Sequence, residues 1–156
     1  MADNKMELKS SLFGEGETIP LSAAHSMAGG ENVSPDLSWS KGPPGTKSYA
    51  ITCYDPDAPT TVGFTHWIRF DIPASVTALP AGSGEPGIHG FTDWGESKYG
   101  GMAPPAGDPP HHYEFTVYAL DVDTLGLGDV TTYALFRFMI RDKVLAQSTL
   151  TGLFGL

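Results

Sequence analysis

A chain of 156 residues fits a single domain spanning 1–156, and a domain of that size buries about 70% of the surface its unfolded chain exposes. Its 18 acidic residues against 9 basic ones leave a net charge of −9, which excludes the dense basic patch that nucleic acids or anionic membrane surfaces require. Charged residues make up only 17%, while glycine (19) and proline (13) are plentiful, the composition of a chain with many turns and few long helices.

In chain order, the stretch from Met1 to Pro20 holds no apolar run long enough for a signal peptide. No later stretch reaches the ~20 apolar residues of a membrane span, so a soluble cytoplasmic protein is expected. Weak strand patterns lie at Glu7–Phe13 and Leu37–Ser40. Lys47–Tyr54 is stronger, its period-2 alternation placing Tyr49, Ile51 and Cys53 on one face. Cys53 is the one cysteine, so no intrachain disulfide forms, and its setting is that of a small buried hydrophobe. His66–Ile72 places Ile68, Phe70 and Ile72 on one face and Trp67, Arg69 and Asp71 on the other. The segment Pro73–Gly107 has no periodicity, and loops that long are often functional. Tyr113–Leu120 aligns Tyr113, Phe115, Val117 and Ala119. A helix is predicted over Thr131–Leu145, with Asp129 as N-cap, Leu135, Phe138 and Met139 on its apolar stripe, and Arg141 and Lys143 at its negative end. A last weak strand is Gln147–Thr151. The fold class is mainly β, antiparallel, in two sheets with one C-terminal helix.

Three strand ends carry an ionisable residue in phase with an apolar face. Two steps beyond Cys53 lies Asp55, two before Ile68 lies His66, and two before Tyr113 lies His111. Their convergence predicts a partly buried polar site at the rim of the core, provided no bulge intervenes. A carboxylate beside an imidazole holds its tautomer and supports its charged form. His112 then faces water, and His25 and His89 read as surface residues. In Asp-Pro-Asp-Ala-Pro, residues 55–59, Asp57 is expected to stabilise the turn, and Ala58–Pro59 is a candidate cis bond. Pro104, Pro105 and Gly107 read as a cleft wall, and Pro109-Pro110 set the angle at which the next strand starts. One aspartate and two histidines suit a phosphate-like anion, because protonated imidazoles and fixed backbone N–H groups are donors. The alternative is a metal-dependent hydrolase, since two His and a carboxylate form a catalytic zinc set, although no H-E-x-x-H occurs. No G-x-S-x-G, G-x-x-x-x-G-K-[ST] or G-x-G-x-x-G is present, so no catalytic residue, metal or cofactor is assigned.

Several motifs then follow in a telling order: Asn-Val-Ser-Pro-Asp-Leu-Ser-Trp-Ser (32–40), Tyr-Asp-Pro-Asp-Ala-Pro-Thr (54–60), Phe-Thr-His-Trp-Ile (64–68), Tyr-Gly-Gly-Met-Ala-Pro-Pro-Ala-Gly-Asp-Pro-Pro-His-His-Tyr (99–113), Phe-Thr-Val-Tyr-Ala-Leu-Asp (115–121) and Val-Leu-Ala (144–146). From about residue 18 to 153 the chain resembles the phosphatidylethanolamine-binding protein family, also called Raf-kinase-inhibitor-like proteins, in its short bacterial and archaeal branch. The resemblance implies a large antiparallel sheet packed on a smaller one and a small anion pocket for phosphate-like groups, including phospholipid headgroups. By motif position it puts the pocket on Asp55, His66, His111 and Tyr113, with Gly101 and Pro105 on the wall and Asp57 and Pro59 in support. It also implies a binding or regulatory protein with an unknown protein partner, such as a kinase or protease, rather than an enzyme. A homodimer is compatible with such a protein. Three departures stand out. Met102-Ala103 replaces the Gly-Pro type of wall. Lys143 stands where bacterial relatives often carry histidine. The eukaryotic C-terminal lid helix has no counterpart before Leu156, so a more open site is expected.

Overall fold

The computed structural model describes residues 5–156. Its strands are β1 (Leu8–Lys9), β2 (Leu37–Trp39), β3 (Ser48–Asp55), β4 (Phe64–Pro73), β5 (Ala78–Leu79), β6 (Ile88–His89), β7 (His111–Leu120) and β8 (Val144–Phe154), with helix α1 (Tyr133–Ile140) before the last. A five-stranded sheet runs β6–β4–β3–β7–β8, and a three-stranded sheet runs β1–β2–β5. The named pairings within both sheets are antiparallel.

The large sheet is covered on both faces. Tyr49, Ile51, Cys53, Phe115, Val117 and Ala119 join Leu8, Leu37, Trp39 and Leu79 of the small sheet in one core. On the opposite face Ala50, Ile68, Phe70, Tyr118 and Leu120 pack against Phe136 and Ile140 of α1. Fully burying side chains of this size contributes roughly 1.5–3 kcal/mol each. Double coverage explains why β3, and β7 from Phe115 onward, are buried almost throughout at both parities where simple alternation predicts one dry face.

One expected face is broken by a bulge. Tyr49 pairs with Ile72 but Ile51 pairs with Arg69, so β4 carries an extra residue there. Asp71 sits in this segment at φ 57°, and its carboxylate accepts the Thr124 hydroxyl at 2.8 Å and the Leu125 N–H at 2.9 Å. These bonds offset the cost of a left-handed non-glycine residue. Ile72 is thereby moved into the core of Tyr49, away from Ile68 and Phe70.

The helix is shorter than predicted, and its cap and stripe differ. Thr132, not Asp129, is the N-cap, its hydroxyl accepting the Leu135 N–H at 3.2 Å. Phe136 and Ile140, one turn apart, face the sheet, whereas Leu135 and Phe138 are exposed. The Arg141 guanidinium reaches the Phe138 carbonyl at 2.6 Å and the Lys143 ammonium the Met139 carbonyl at 3.1 Å, as cations at a helix C-terminus should. Helix beyond this point loses to sheet: Val144 pairs with Leu120 and Ala146 with Ala119, so β8 starts at Val144 rather than Gln147.

Candidate functional site

Strand β3 ends where its antiparallel neighbour β7 begins, Tyr54 pairing with Glu114. This brings Asp55 and His111 together: the Asp55 Oδ2 lies 2.8 Å from His111 Nδ1, and the two side chains are 3% and 4% exposed. The alternation of β3 and β7 foresees both positions. His66 arrives by another route. Cys53 pairs with Trp67 but Tyr54 with Thr65, which leaves His66 as an extra residue on β4. Ile68 and Phe70 belong to the helix-side core, so strict alternation would carry His66 away from Asp55. The bulge turns it back, and its ring meets Tyr113 edge-on at 5.3 Å between centroids.

The two buried histidines differ in charge. The His66 Nδ1–H donates to the Gly100 carbonyl at 2.8 Å, which leaves Nε2 as a bare acceptor in the neutral ring. Burial lowers its pKa, against the nearby carbonyls of Gly100 and Gly101 and the charge of Asp55. Asp55 therefore braces His111 and not His66. For His111, burial opposes charging, but hydrogen bonds to Asp55 and Asp108 outweigh it and raise the pKa. Asp108 Oδ2 is 3.0 Å from His111 Nε2, so both ring nitrogens face carboxylates, which favours the charged form of the ring. Burial and the Asp55 charge, with a hydrogen bond to Asp55 adding to them, push the Tyr113 phenol well above its ordinary range, so it stays protonated beside Asp55. Burial likewise raises the Cys53 thiol, with the Asp55 and Glu114 charges adding to it, so Cys53 is the inert hydrophobe its alternation predicts.

These groups line a cavity of about 230 Å³. Asp55, His66, His111 and Tyr113 form its polar floor, and Pro59, Phe64, Trp94, Pro104 and Pro105 are among its walls. Asp57 braces the rim: its N–H donates to Asp55 Oδ1 at 2.8 Å, and its Oδ2 takes both the N–H and the Nδ1 of His112, each at 2.7 Å. Burial works to raise the Asp57 carboxyl, and the His112 bonds outweigh it and hold it low. His112 is exposed as expected, but it is a partner of the turn.

Several expectations are corrected. Gly101 does not line the cavity. Its N–H is taken by Asn32 Oδ1 at 2.7 Å and its carbonyl by Trp94 Nε1 at 3.2 Å, and a Cβ there would run into the Ala23 carbonyl oxygen. Met102 points into the core, so the wall passes to Ala103, Pro104 and Pro105. Ala58–Pro59 is not cis; the cis bond among the described residues is Glu85–Pro86. His25 and His89 are both half-buried. His25 stacks on Trp94 at 4.1 Å and its Nδ1 accepts the Met27 N–H, while His89 stacks on Trp67. Lys143 caps α1 and is no part of the cavity lining. Phe64, Trp94 and Asp108 escaped the sequence reading. Phe64 is in phase with His66, a usable signal; Trp94 lies in an aperiodic loop and had none.

Among the described residues no group of three or more His, Cys, Asp or Glu is arranged to hold a metal ion. Asp55 and His111 spend their facing atoms on each other, and His66 Nδ1 is spent on a carbonyl.

Known proteins share this arrangement of sheets and loops. The E. coli structure of YbcL superposes with a TM-score of 0.92 over 97% of this chain and 98% of that one, at 37% identity. The homologue CT736 of Chlamydia trachomatis gives 0.89 at 30% identity, over 99% of each chain. The UPF0098 protein YbhB of E. coli strain K12 is 37% identical over 159 aligned residues, which cover 96% of this chain and all of the relative (100%). The sequence profile of the family named phosphatidylethanolamine-binding protein matches residues 9–155. With motifs, fold and relatives in agreement over nearly the whole chain, the protein belongs to the phosphatidylethanolamine-binding protein family.

Proposed function

We propose that the chain is a non-enzymatic binding protein whose cavity receives a phosphate-type group, free or as a phospholipid headgroup, and that it regulates a partner enzyme such as a kinase or protease. The observation that carries this reading is His111, nearly fully buried beside Asp55 at the floor of a concave, largely apolar-walled site. A positive ring in low-dielectric surroundings favours an incoming anion once one of its two carboxylate partners gives way. The protonated Tyr113 hydroxyl lines the same cavity beside Asp55. Family membership supports binding as the general role. Asp55 and His111 turn their facing atoms to each other, which takes those atoms from the ligand set a metal-dependent hydrolase would need. Chemistry by a thiol is disfavoured by the raised Cys53 pKa. The same reading takes the protein to be cytoplasmic, which cell fractionation checks.

The test is ring NMR of His66 and His111 during titration with inorganic phosphate and, separately, phosphorylethanolamine. Both rings should shift at millimolar ligand, and a headgroup-adapted site should bind phosphorylethanolamine more tightly than phosphate. Silence of both rings would sink the reading. A stoichiometric metal in untagged protein, whose removal moves the same resonances, would support the hydrolase instead.

A further inference from the structure

An incoming anion needs a donor, and His111 has already committed both of its own. Nδ1 faces Asp55 from below, within the core, at 2.8 Å. Nε2 is the nitrogen left for a ligand, and Asp108 holds it at 3.0 Å. Asp108 comes from the water side: its side chain is 40% exposed against 4% for His111. We propose that Asp108, which stands outside the lining of the cavity, is a tethered internal ligand that holds the His111 Nε2 an anion would need and is displaced by a phosphoryl group. This rests on the anion-binding reading above and adds what governs the site's selectivity.

The loop around Asp108 is built for a small swing. Pro104-Pro105 and Pro109-Pro110 fix both arms. Between them, Gly107 has φ 90° and no neighbour within 4 Å of where a Cβ would stand. The two backbone bonds that hold the tip are long: Gly107 N–H to the Leu156 carbonyl and Asp108 N–H to the Pro105 carbonyl, each 3.3 Å. Breaking them costs little in net terms, because water replaces both partners at a surface loop.

A tethered carboxylate competes at an effective concentration in the millimolar range or above. Free monocarboxylates offer the same headgroup chemistry and no advantage, so the site excludes them. A phosphoryl group carries close to two charges near neutral pH and three acceptor oxygens, and can displace the singly charged Asp108 carboxylate. Asp108 thereby sets a preference for phosphoryl over carboxylate ligands.

The experiment titrates inorganic phosphate and acetate into wild type, Asp108→Asn and Asp108→Ala, followed by NMR at pH 7. A parallel series at pH 5.5, below the ordinary imidazole value of about 6.5, favours the charged His111 ring in each form, and the ring resonances themselves report its charge. In wild type, phosphate should shift the His111 ring and, with the same midpoint, the Gly107 and Asp108 amides, while acetate moves neither. If the plugged form holds at least about nine-tenths of the population, each variant binds phosphate at least about tenfold more tightly. Both variants should also admit acetate. Wild-type phosphate affinity in both variants, with acetate still excluded, overturns the role of Asp108 and leaves the pocket reading intact. Loop amides that stay still while the His111 ring saturates also overturn it. Failure of all three forms to bind phosphate overturns the pocket reading, and this inference with it.

Discussion

Replacing Asp55 by Asn tests the electrostatics of the site at its centre. Asp55 uses both oxygens: Oδ1 accepts the Asp57 N–H at 2.8 Å and Oδ2 faces His111 Nδ1 at 2.8 Å. An asparagine has one acceptor oxygen, so it cannot serve two donors. The arrangement that leaves no clash keeps the oxygen on Asp57 and turns the amide NH₂ to a bare Nδ1. His111 then becomes a neutral ring protonated on Nε2, bonded to Asp108. The lost interaction is a hydrogen bond between charged groups, worth about 1.5–3 kcal/mol. Its loss lowers the His111 pKa, because the charged ring gives up a carboxylate partner. The pair is nearly fully buried, so solvent screening takes little from that figure. Asp108 remains and favours the lower end.

The same substitution carries a pH signature. Folding raises the His111 pKa. Its contribution to stability is therefore complete below the ordinary value of about 6.5 and is lost as pH rises through the folded value. Asp55→Asn should cost about 1.5–3 kcal/mol in urea unfolding at pH 5.5. Above the folded His111 value, where the ring is neutral in both proteins, about 1 kcal/mol or less should remain. Imidazole NMR titration gives the pKa directly. A variant whose His111 titrates where wild type does, or whose cost is equal at both pH values, would refute the reasoning.

Three further outcomes are expected. Gly101→Ala should destabilise by about 1–3 kcal/mol or more in denaturant unfolding, since the new methyl meets the backbone of Ala23 and Ala24, and should shift the His66 ring through the adjoining Gly100 carbonyl. Thr132→Ala removes the N-cap of α1 and should cost about 1 kcal/mol, read as a lower urea midpoint at unchanged slope. Burial, with Arg69 adding to it, pushes the His89 pKa down to about 4. Since the unfolded chain takes up a proton that folded His89 refuses, stability should fall as pH drops from about 6.5 towards 4, by at most about 3 kcal/mol. An NMR pKa near 6.5 for His89 contradicts that setting.

What could be read from the sequence was periodic. β3, β4 and β7 announce themselves by alternation, and Asp55, His111 and Tyr113 follow from it because β3 and β7 stay in register up to the site. The helix misled because its true stripe, Phe136 and Ile140, is two residues wide, while Leu135 and Phe138 offer an equally apolar pattern to water. Arg69, on the polar parity of β4, is fully buried all the same. Its partners are the Ser83 and Pro86 carbonyls, each at 2.8 Å, in a loop with no period to read.

His66 shows why the remainder was hidden. Its membership in the site was foreseen by phase with Ile68 and Phe70, yet those residues face α1, on the far side of the sheet from the cavity. Phase alone would have sent the imidazole towards the helix. What returns it is the shift between Cys53–Trp67 and Tyr54–Thr65, and no residue type in Phe-Thr-His-Trp marks such a bulge. The loop groups extend the point. Asp108 lies in a proline-framed turn where side-chain direction depends on Gly107 at φ 90°, not on parity. The polar chemistry of this pocket is thus assembled at the places where regular pairing stops. Strands supply Asp55 and His111 as a fixed pair, and the irregular segments decide which ring nitrogen is free, which is covered, and by what.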